Sequence, residues 1–434
     1  MSVNNTSYNI KKFDVGSYNI APSISYIKYY ESVLSPAIIF EVIVAESEGI
    51  LSGSRGGGGL VGGEECIIDI STSSTGFVDD PENPDNNQTS EFKFTDRGKL
   101  YLRKIVNADP SSQNNVYTLI ITTAGALINE TSRCCARYEG KISDIVSTIA
   151  GNTFASDTSI DIQIEETENS YAFIGNARKP FHTITWLAKK SIPTSKGIYG
   201  NKNTEGSAGF FFYEDRDGYK FRSVDSLCSP KGKIVPTFVQ SEFTKPNKDN
   251  RNKILSASFD TNSDILENLR LGMFSNVNYF WNAYDQTTQC YQYNLKDSYS
   301  TKMKTLEKDA SPYNVPLGLD ESPSRIMFSI LDTGSLEKTG IVEKVKDAIE
   351  EQPKYQAQAV VRYNLIFSQT VTITIPINTT LRIGNVIKCE FLQTGGDGID
   401  KLRSGKYLIA EISHQFSNNA AYTGLKLIRD SYGG

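Results

Sequence analysis

Histidine is almost missing from this chain: its 434 residues hold two, His182 and His414. A three-histidine zinc site is therefore excluded, and no Ser/His/Asp or Cys/His set can be assembled around so few imidazoles. Cysteine is scarce as well. Cys66, Cys134, Cys135, Cys228, Cys290 and Cys389 form no CxxC pair, with Cys134-Cys135 in a strand-like stretch. Buried free thiols in a protein assembled in a reducing cytoplasm are expected. No run approaches eighteen apolar residues, so a membrane-spanning helix and stable membrane insertion are not expected. Met1-Ser2-Val3-Asn4-Asn5-Thr6 lacks the basic-then-apolar layout of a signal peptide. Basic excess is missing too. The 45 Lys+Arg stand against 50 Asp+Glu, which argues against a dedicated nucleic-acid binder, since that needs a basic face to release counterions.

What is present is ordinary globular material, 38% hydrophobic and 22% charged, which excludes wholesale disorder and leaves room for about two to four domains. The first 35 residues show no clear period and read as an extended arm with at most one strand. In AIIFEVIVAE (37–46), Ile38, Phe40, Val42 and Val44 share one face of a buried strand. Strand-like runs follow at 66–70, 92–94, 100–106, 116–122 and 133–138, with turn-rich gaps and no helical pattern before Tyr138. Strands in series without helices imply antiparallel pairing in a barrel or sandwich.

The period changes at 141–150, where Ile142, Ile145, Val146 and Ile149 make a helical stripe stopped by Gly151-Asn152. Residues 180–188 predict a helix with Pro180 in its first turn and Phe181, Ile184, Leu187 and Ala188 inward, leaving His182 off the stripe. Residues 210–214 and 219–223 flank Asp215-Arg216-Asp217-Gly218, a hairpin turn with the Asp-Gly pair that a positive φ demands. A helix over 263–271 has Asp264 and Glu267 at capping spacing and Gly272 as its stop. Helices are also expected at 338–351 and 359–367, and strands at 371–376, 386–391, 407–413 and 422–428. The second β unit would thus join the 210–260 region to 370–430 around an insertion. Two β units of similar character point to an old duplication.

Candidate chemistry is thin. Gly56–Gly59 lacks the GK[ST] ending of a phosphate loop and leads into a strand. Asp215, Asp217 and Gly218 resemble part of a calcium loop, but Val224 stands where the twelfth-position Glu belongs. Asp79, Asp80 and Glu82 are the first suspects for a cell-wall hydrolase, although a polar proline-bearing loop is a poor place to raise a carboxyl pKa. The run Tyr279–Tyr284, with Trp281, fits an aromatic core cluster or, alternatively, a glycan- or receptor-binding module. Aromatics are plentiful, 23 Tyr and 21 Phe, and those in excess of core needs can line sugar sites or large protein interfaces. No catalytic, cofactor-binding or metal residue is assigned.

Three segments in order resemble the baseplate hub protein of contractile-tailed, T-even-like phages, and the base of type VI secretion spike proteins. They are PFHTITWLAKK with GFFFYEDRDGYKFRSVDSL (180–190 and 209–227), AIIFEVIVAE, and TTLRIGNVIKCEF with SGKYLIAEISHQFSNNAAYTGLKLIRDS (379–391 and 404–431). The resemblance spans roughly 35–431. It implies a non-enzymatic virion structural protein of the tail baseplate, assembled in the host cytoplasm. It further implies a β-rich α+β fold with two tail-tube-like antiparallel β-barrels, the second discontinuous around a mixed α/β insertion. Three copies would form a pseudo-six-fold ring adapting a six-fold tube to a three-fold spike. The implied partners are itself as a homotrimer, the central spike trimer, the tail tube or tube-initiator protein and other baseplate proteins, with genomic DNA only passing through the lumen. The expected division is an N-terminal arm (1–35), a first barrel with helix (36–152), a mixed α/β connector (153–208), the first part of a second barrel (209–260), an inserted α/β region (261–356) and the remainder of the second barrel (357–434). Segments 52–63, 76–91 and 338–351 have no counterpart in that pattern.

Overall fold

A computed structural model describes residues 7–46, 51, 59–72, 90–94, 99–110, 115–154, 161–194, 206–229, 235–240, 252–261, 264–282, 286–297, 299, 303–307, 316–331, 341–393, 398–417 and 420–431. The chain begins with β1 (Tyr8–Val15), β2 (Tyr18–Asn19), β3 (Ile24–Ser32), β4 (Ile39–Glu46), β5 (Glu65–Thr72), β6 (Ser90–Lys93), β7 (Leu100–Pro110) and β8 (Asn115–Thr123). A middle region follows: α1 (Ala124–Thr131), β9 (Arg137–Lys141), α2 (Ile142–Thr153), β10 (Ile162–Ile164), β11 (Ser170–Ile174), α3 (Pro180–Ala188), β12 (Phe210–Asp215), β13 (Gly218–Ser223) and α4 (Val224–Cys228). Then come β14 (Thr237–Gln240), β15 (Lys253–Ile254), β16 (Ser256–Thr261), α5 (Ile265–Arg270), β17 (Ser275–Asn282), β18 (Thr287–Asn294) and β19 (Arg325–Leu331). The last elements are α6 (Ile341–Ile366), β20 (Gln369–Pro376), β21 (Val386–Glu390), β22 (Gly405–Ser417) and β23 (Ala420–Arg429).

Among the described residues a fifteen-stranded curled sheet dominates, with few helices. Its path runs β15-β14-β21-β22-β3-β4-β8-β7-β5-β1-β2, with β23, β20 and β16 branching from β22 and β6 pairing with β5. Two hydrophobic cores lie along it. Strands β1 to β8 enclose Phe13, Ile27, Phe40, Val42, Ile68, Phe92 and Leu119. The later strands enclose Phe238, Ile373, Ile387, Leu408, Leu425 and Leu427. Residues 253–261 pair with β14 at one end and β20 at the other, so the later strands return on themselves.

The hairpin β22–β23 serves both cores. Tyr407, Ile409, Leu425 and Leu427 belong to the second, while Phe416 and Ala421 belong to the first. A register shift between Ile409 and Glu411 re-aims β22 between the two. Beyond that shift, Glu411–Ser417 pairs antiparallel with Ser32–Tyr26 of β3 and welds the two strand sets into one sheet.

Strong local patterns hold. Ile38, Phe40, Val42 and Val44 are all buried, as is the stripe Ile142, Ile145, Val146 and Ile149 of α2, which runs on through Gly151-Asn152 to Thr153. Asp264 caps α5 by accepting from Glu267 N, and Gly272 follows at φ +70°. Gly218 takes φ +126°, and a Cβ there would meet Asp161 O at 2.6 Å, so only glycine fits that corner.

Five expectations are corrected. Residues 8–32 are three sheet strands and not an arm, because Phe13, Val15, Ile27 and Tyr29 fill the first core. The strand expected at 133–138 starts only at Arg137, and helix α1 precedes it; Cys134 makes a single bridge to Arg178. The 210–223 hairpin does not join the second strand set but forms its own sheet, β10-β13-β12. The two helices expected at 338–351 and 359–367 are one continuous helix, α6. Cys135 and Cys290 are exposed, Cys290 on the open side of β18, while the other four thiols are buried.

Strand β12 is buried on both faces. Phe210 and Phe212 pack with Ile145, Ile184 and Leu187 in a third core, and Phe211 and Tyr213 pack into the second. In that same middle region, Arg178 N donates to Gly175 O (3.1 Å) across a turn whose inner residues Asn176 and Ala177 both take left-handed φ, 51° and 55°. Alanine is strained there. Ala177→Gly should therefore stabilise the protein by about 0.5–1 kcal/mol in urea titrations.

Candidate functional site

The residues singled out as possible chemistry do not converge. Asp79, Asp80, Glu82 and Gly56–Gly58 lie outside the described residues. Gly59 to Gly63 precede strand β5, not a helix, and the Gly62 amide donates to Glu64. Asp215 is paired with Lys220 and Asp217 with Arg382 (3.0 Å), so the calcium-like turn is occupied by the protein's own cations. Among the described residues, no three His, Cys, Asp or Glu side chains are grouped to hold a metal. His182 is exposed on α3. His414 is buried, stacked on Tyr29 (5.5 Å between ring centres) and 3.0 Å from Thr423 Oγ1.

What the fold does build is an open apolar face and a buried ionic joint. In the sheet β18-β17-β19, α6 packs across one side. There Asn276 Nδ2 donates to Ala357 O (3.3 Å) and Gln356 Nε2 to Ser329 Oγ (2.9 Å). Among the described residues, nothing covers the other side. Ile326, Phe328 and Ile330 are 61%, 79% and 67% exposed, Trp281 is 45% exposed, and Tyr279 stacks on Phe328. Strand β19 pairs with β17 alone among the described residues, leaving one edge open. Apolar residues at every second position along an open edge mark an interaction surface better than a folding core. The expected aromatic cluster is thus split: Phe280 points inward and Trp281 outward, while Tyr284 lies outside the described residues.

The joint lies where the tip of β12–β13 meets both strand sets. Glu214 Oε2 accepts from Thr123 Oγ1 (2.7 Å) and Ile38 N (3.2 Å) of the first set. Arg216 lies 5.4 Å from the Phe92 ring centre. On the other side, Arg382 of the loop before β21 holds Asp217. Glu31 of β3 accepts from Tyr29 Oη (2.6 Å) and reaches Ile383 N (3.4 Å) beside Arg382. Burial, then the Asp215 charge, pushes the Glu31 carboxyl up to about 7. Burial likewise pushes Glu214 up to about 8, and it drives His414 well below its ordinary value with Arg216 and Arg382 adding to the effect.

A second buried network centres on Arg362 of α6. Its guanidinium meets Asp225 (3.2 Å), Asp430 (3.3 Å) and the Lys304 carbonyl, with all three ionic side chains fully buried. Burial raises the Asp430 carboxyl, and Arg362 works against that rise. This cation ties α6, α4 and the end of β23 together.

None of these groups was assigned a role from sequence. RIMFSIL (325–331) carries a strand-like apolar signal that could have revealed β19. Arg362, Glu214, Arg382 and Glu31 reach the partners that join separate elements across 58 to 352 residues of chain.

No family model matches the chain. It is 22% identical over 294 residues to a probable baseplate hub protein of Vibrio phage KVP40, a match covering 67% of this chain and 66%, just under two thirds, of that protein. The resemblance read from the motif segments is therefore met by a curated relative. In fold, the chain is similar to a tail protein from Neisseria meningitidis MC58 (TM-score 0.53, 12% identity, 98% of this chain and 97% of that one). A 43 kDa tail protein of prophage MuSo2 from Shewanella oneidensis overlaps at TM-score 0.49 and 8% identity, over 97% and 98% of the two chains.

Two substitutions separate the buried network from the open face. Arg362→Met should cost about 3–5 kcal/mol, because it strands two buried carboxylates. Phe328→Ser, on the exposed face, should change stability by less than about 1 kcal/mol. Denaturant titration of both variants checks the contrast.

Proposed function

We propose that this chain is the structural hub of a phage contractile-tail baseplate, a non-enzymatic protein whose product is geometry. The observation that carries the reading is two successive strand sets, each with its own core, welded through β22 and β3, in a chain similar to a hub protein. In this reading each set is a tube-like barrel. The first spans 8–123. The second combines 235–261 with 367–431 and is interrupted by the 262–366 insertion, while 124–234 connects the two. Three copies give six barrels in a ring, so a six-fold tail tube above meets a three-fold spike below. Neighbouring copies would close the open strand edges in a heterologous cyclic contact, which buries on the order of 2,000–5,000 Å2 in total. The ring would sit in the virion baseplate after assembly in the host cytoplasm. Its partners would be the spike trimer, the tube or tube-initiator protein and other baseplate proteins, the last on surfaces such as the β19 face. A net charge of −5 suits a lumen that lets DNA pass without adhering.

Mass photometry of the pure protein, alone and with a spike trimer, tests this. Particles of three times the chain mass, and a ring with six strand units by cryo-electron microscopy, are expected. Monomers alone under both conditions would remove the reading.

A further inference from the structure

The sheet β18-β17-β19 is patterned inside out. On the side that α6 covers, β17 buries Asn276, Asn278 and Asn282, and β19 sets Ser329 against Gln356. On the other side Trp281, Ile326, Phe328 and Ile330 are exposed among the described residues, with Tyr279 stacked on Phe328. A sheet with one solvated face turns its polar residues to water. The reversal here marks the apolar side as one that is built to be covered.

The free edge of β19 lies beside that surface. Its seven residues pair with β17 in unbroken register, without the bulge, proline or mid-strand charge that protects an edge. Its one charge, Arg325, stands at the first position and donates to the Leu271 carbonyl (3.2 Å). The opposite edge differs. There the register of β18 sets Thr288, Cys290 and Gln292 beside Trp281, Tyr279 and Val277. We propose that the β19 edge takes up an extended segment of a partner protein as a fourth strand, one with apolar side chains at every second position.

Size and symmetry choose this occupant. The four exposed residues offer on the order of 500 Å2 of apolar surface. A stable face-to-face interface needs about 800 Å2 from each partner. A docked strand adds ladder hydrogen bonds that area does not count, and its alternate side chains extend the rows of Ile326, Phe328 and Ile330. A second copy fits less well. Its β18 would lay polar side chains on those rows, and its β19 would pair about a two-fold axis. Such a contact joins two rings head to head, whereas the hub reading, on which this choice rests, gives the ring unlike ends for tube and spike.

Peptides as long as β19, with Val, Ile or Phe at every second position and Thr between, are the probe against the full chain. Members of this set should bind saturably, and peptides of the same composition with consecutive apolar residues should bind about tenfold or more weaker. Phe328→Ser should weaken binding by a similar factor. On binding, hydrogen exchange at the β19 amides should slow by about tenfold or more, with no change along β18. A strand aims only every second amide at its neighbour. Of the two alternately N-methylated forms of a binding peptide, one should therefore bind as before and the other should not bind. Failure of every alternating peptide to bind overturns the proposal, as does protection on β18 instead of β19, or equal binding by both methylated forms. Mass photometry covers the remaining case: particles of doubled mass that vanish in Phe328→Ser would give the edge to a second copy and overturn it too. Peptide binding does not require ring formation, so a chain that stays monomeric would remove the hub reading alone.

Discussion

The structure depends on one hairpin serving two cores. β22 and β23 bury Tyr407, Ile409, Leu425 and Leu427 in the second core and Phe416 and Ala421 in the first. A strand presents alternate residues to one face, so a single regular strand cannot satisfy two cores set at an angle. The shift between Ile409 and Glu411 resolves this by inserting a residue and turning the strand where it leaves β21 and meets β3. Remove that alignment and the last strands revert to a local sheet, leaving the edge of β3 open.

Joining two cores this way leaves a seam that apolar packing alone does not fill. The seam is occupied by charged groups placed in pairs, Asp217 with Arg382 and Asp215 with Lys220, and by the carboxyls of Glu31 and Glu214 held by hydrogen-bond donors. Buried ionic groups of this kind add little net stability compared with apolar side chains, but they penalise every misalignment that would strand a charge. The same logic applies at Arg362, which anchors α6 with a guanidinium able to meet two carboxylates and a carbonyl together. Charge at these seams enforces relative position, which suits the hub role proposed above.

Legibility in the sequence followed the range of the interactions. The β4 alternation, the α2 stripe, the capping Asp264 and the Gly218 corner are set within a few residues, and each could be read directly. The N-terminal strands were hidden because β1 carries a register shift between Ile10 and Lys12 that breaks its alternation, and its partner is β5 some sixty residues away. Helix α6 was read as two because Pro353 and a charged stretch lie between its apolar runs, yet the backbone continues through them. The 210–223 hairpin was given to the wrong sheet because its third strand, β10, is three residues long and pairs in parallel. The ionic seam left no local trace, and neither did the open side of β19, since exposure is decided by what fails to pack there.

Strand β12 makes the middle of the chain a party wall. With Phe210 and Phe212 facing one room and Phe211 and Tyr213 the other, the region from α1 to α4 cannot be lifted out and exchanged between relatives as a cassette, because each side of the wall is fitted to a different interior. Successful chimaeras should carry the stretch from α1 through β23 as one piece, so that the wall travels with both interiors it faces.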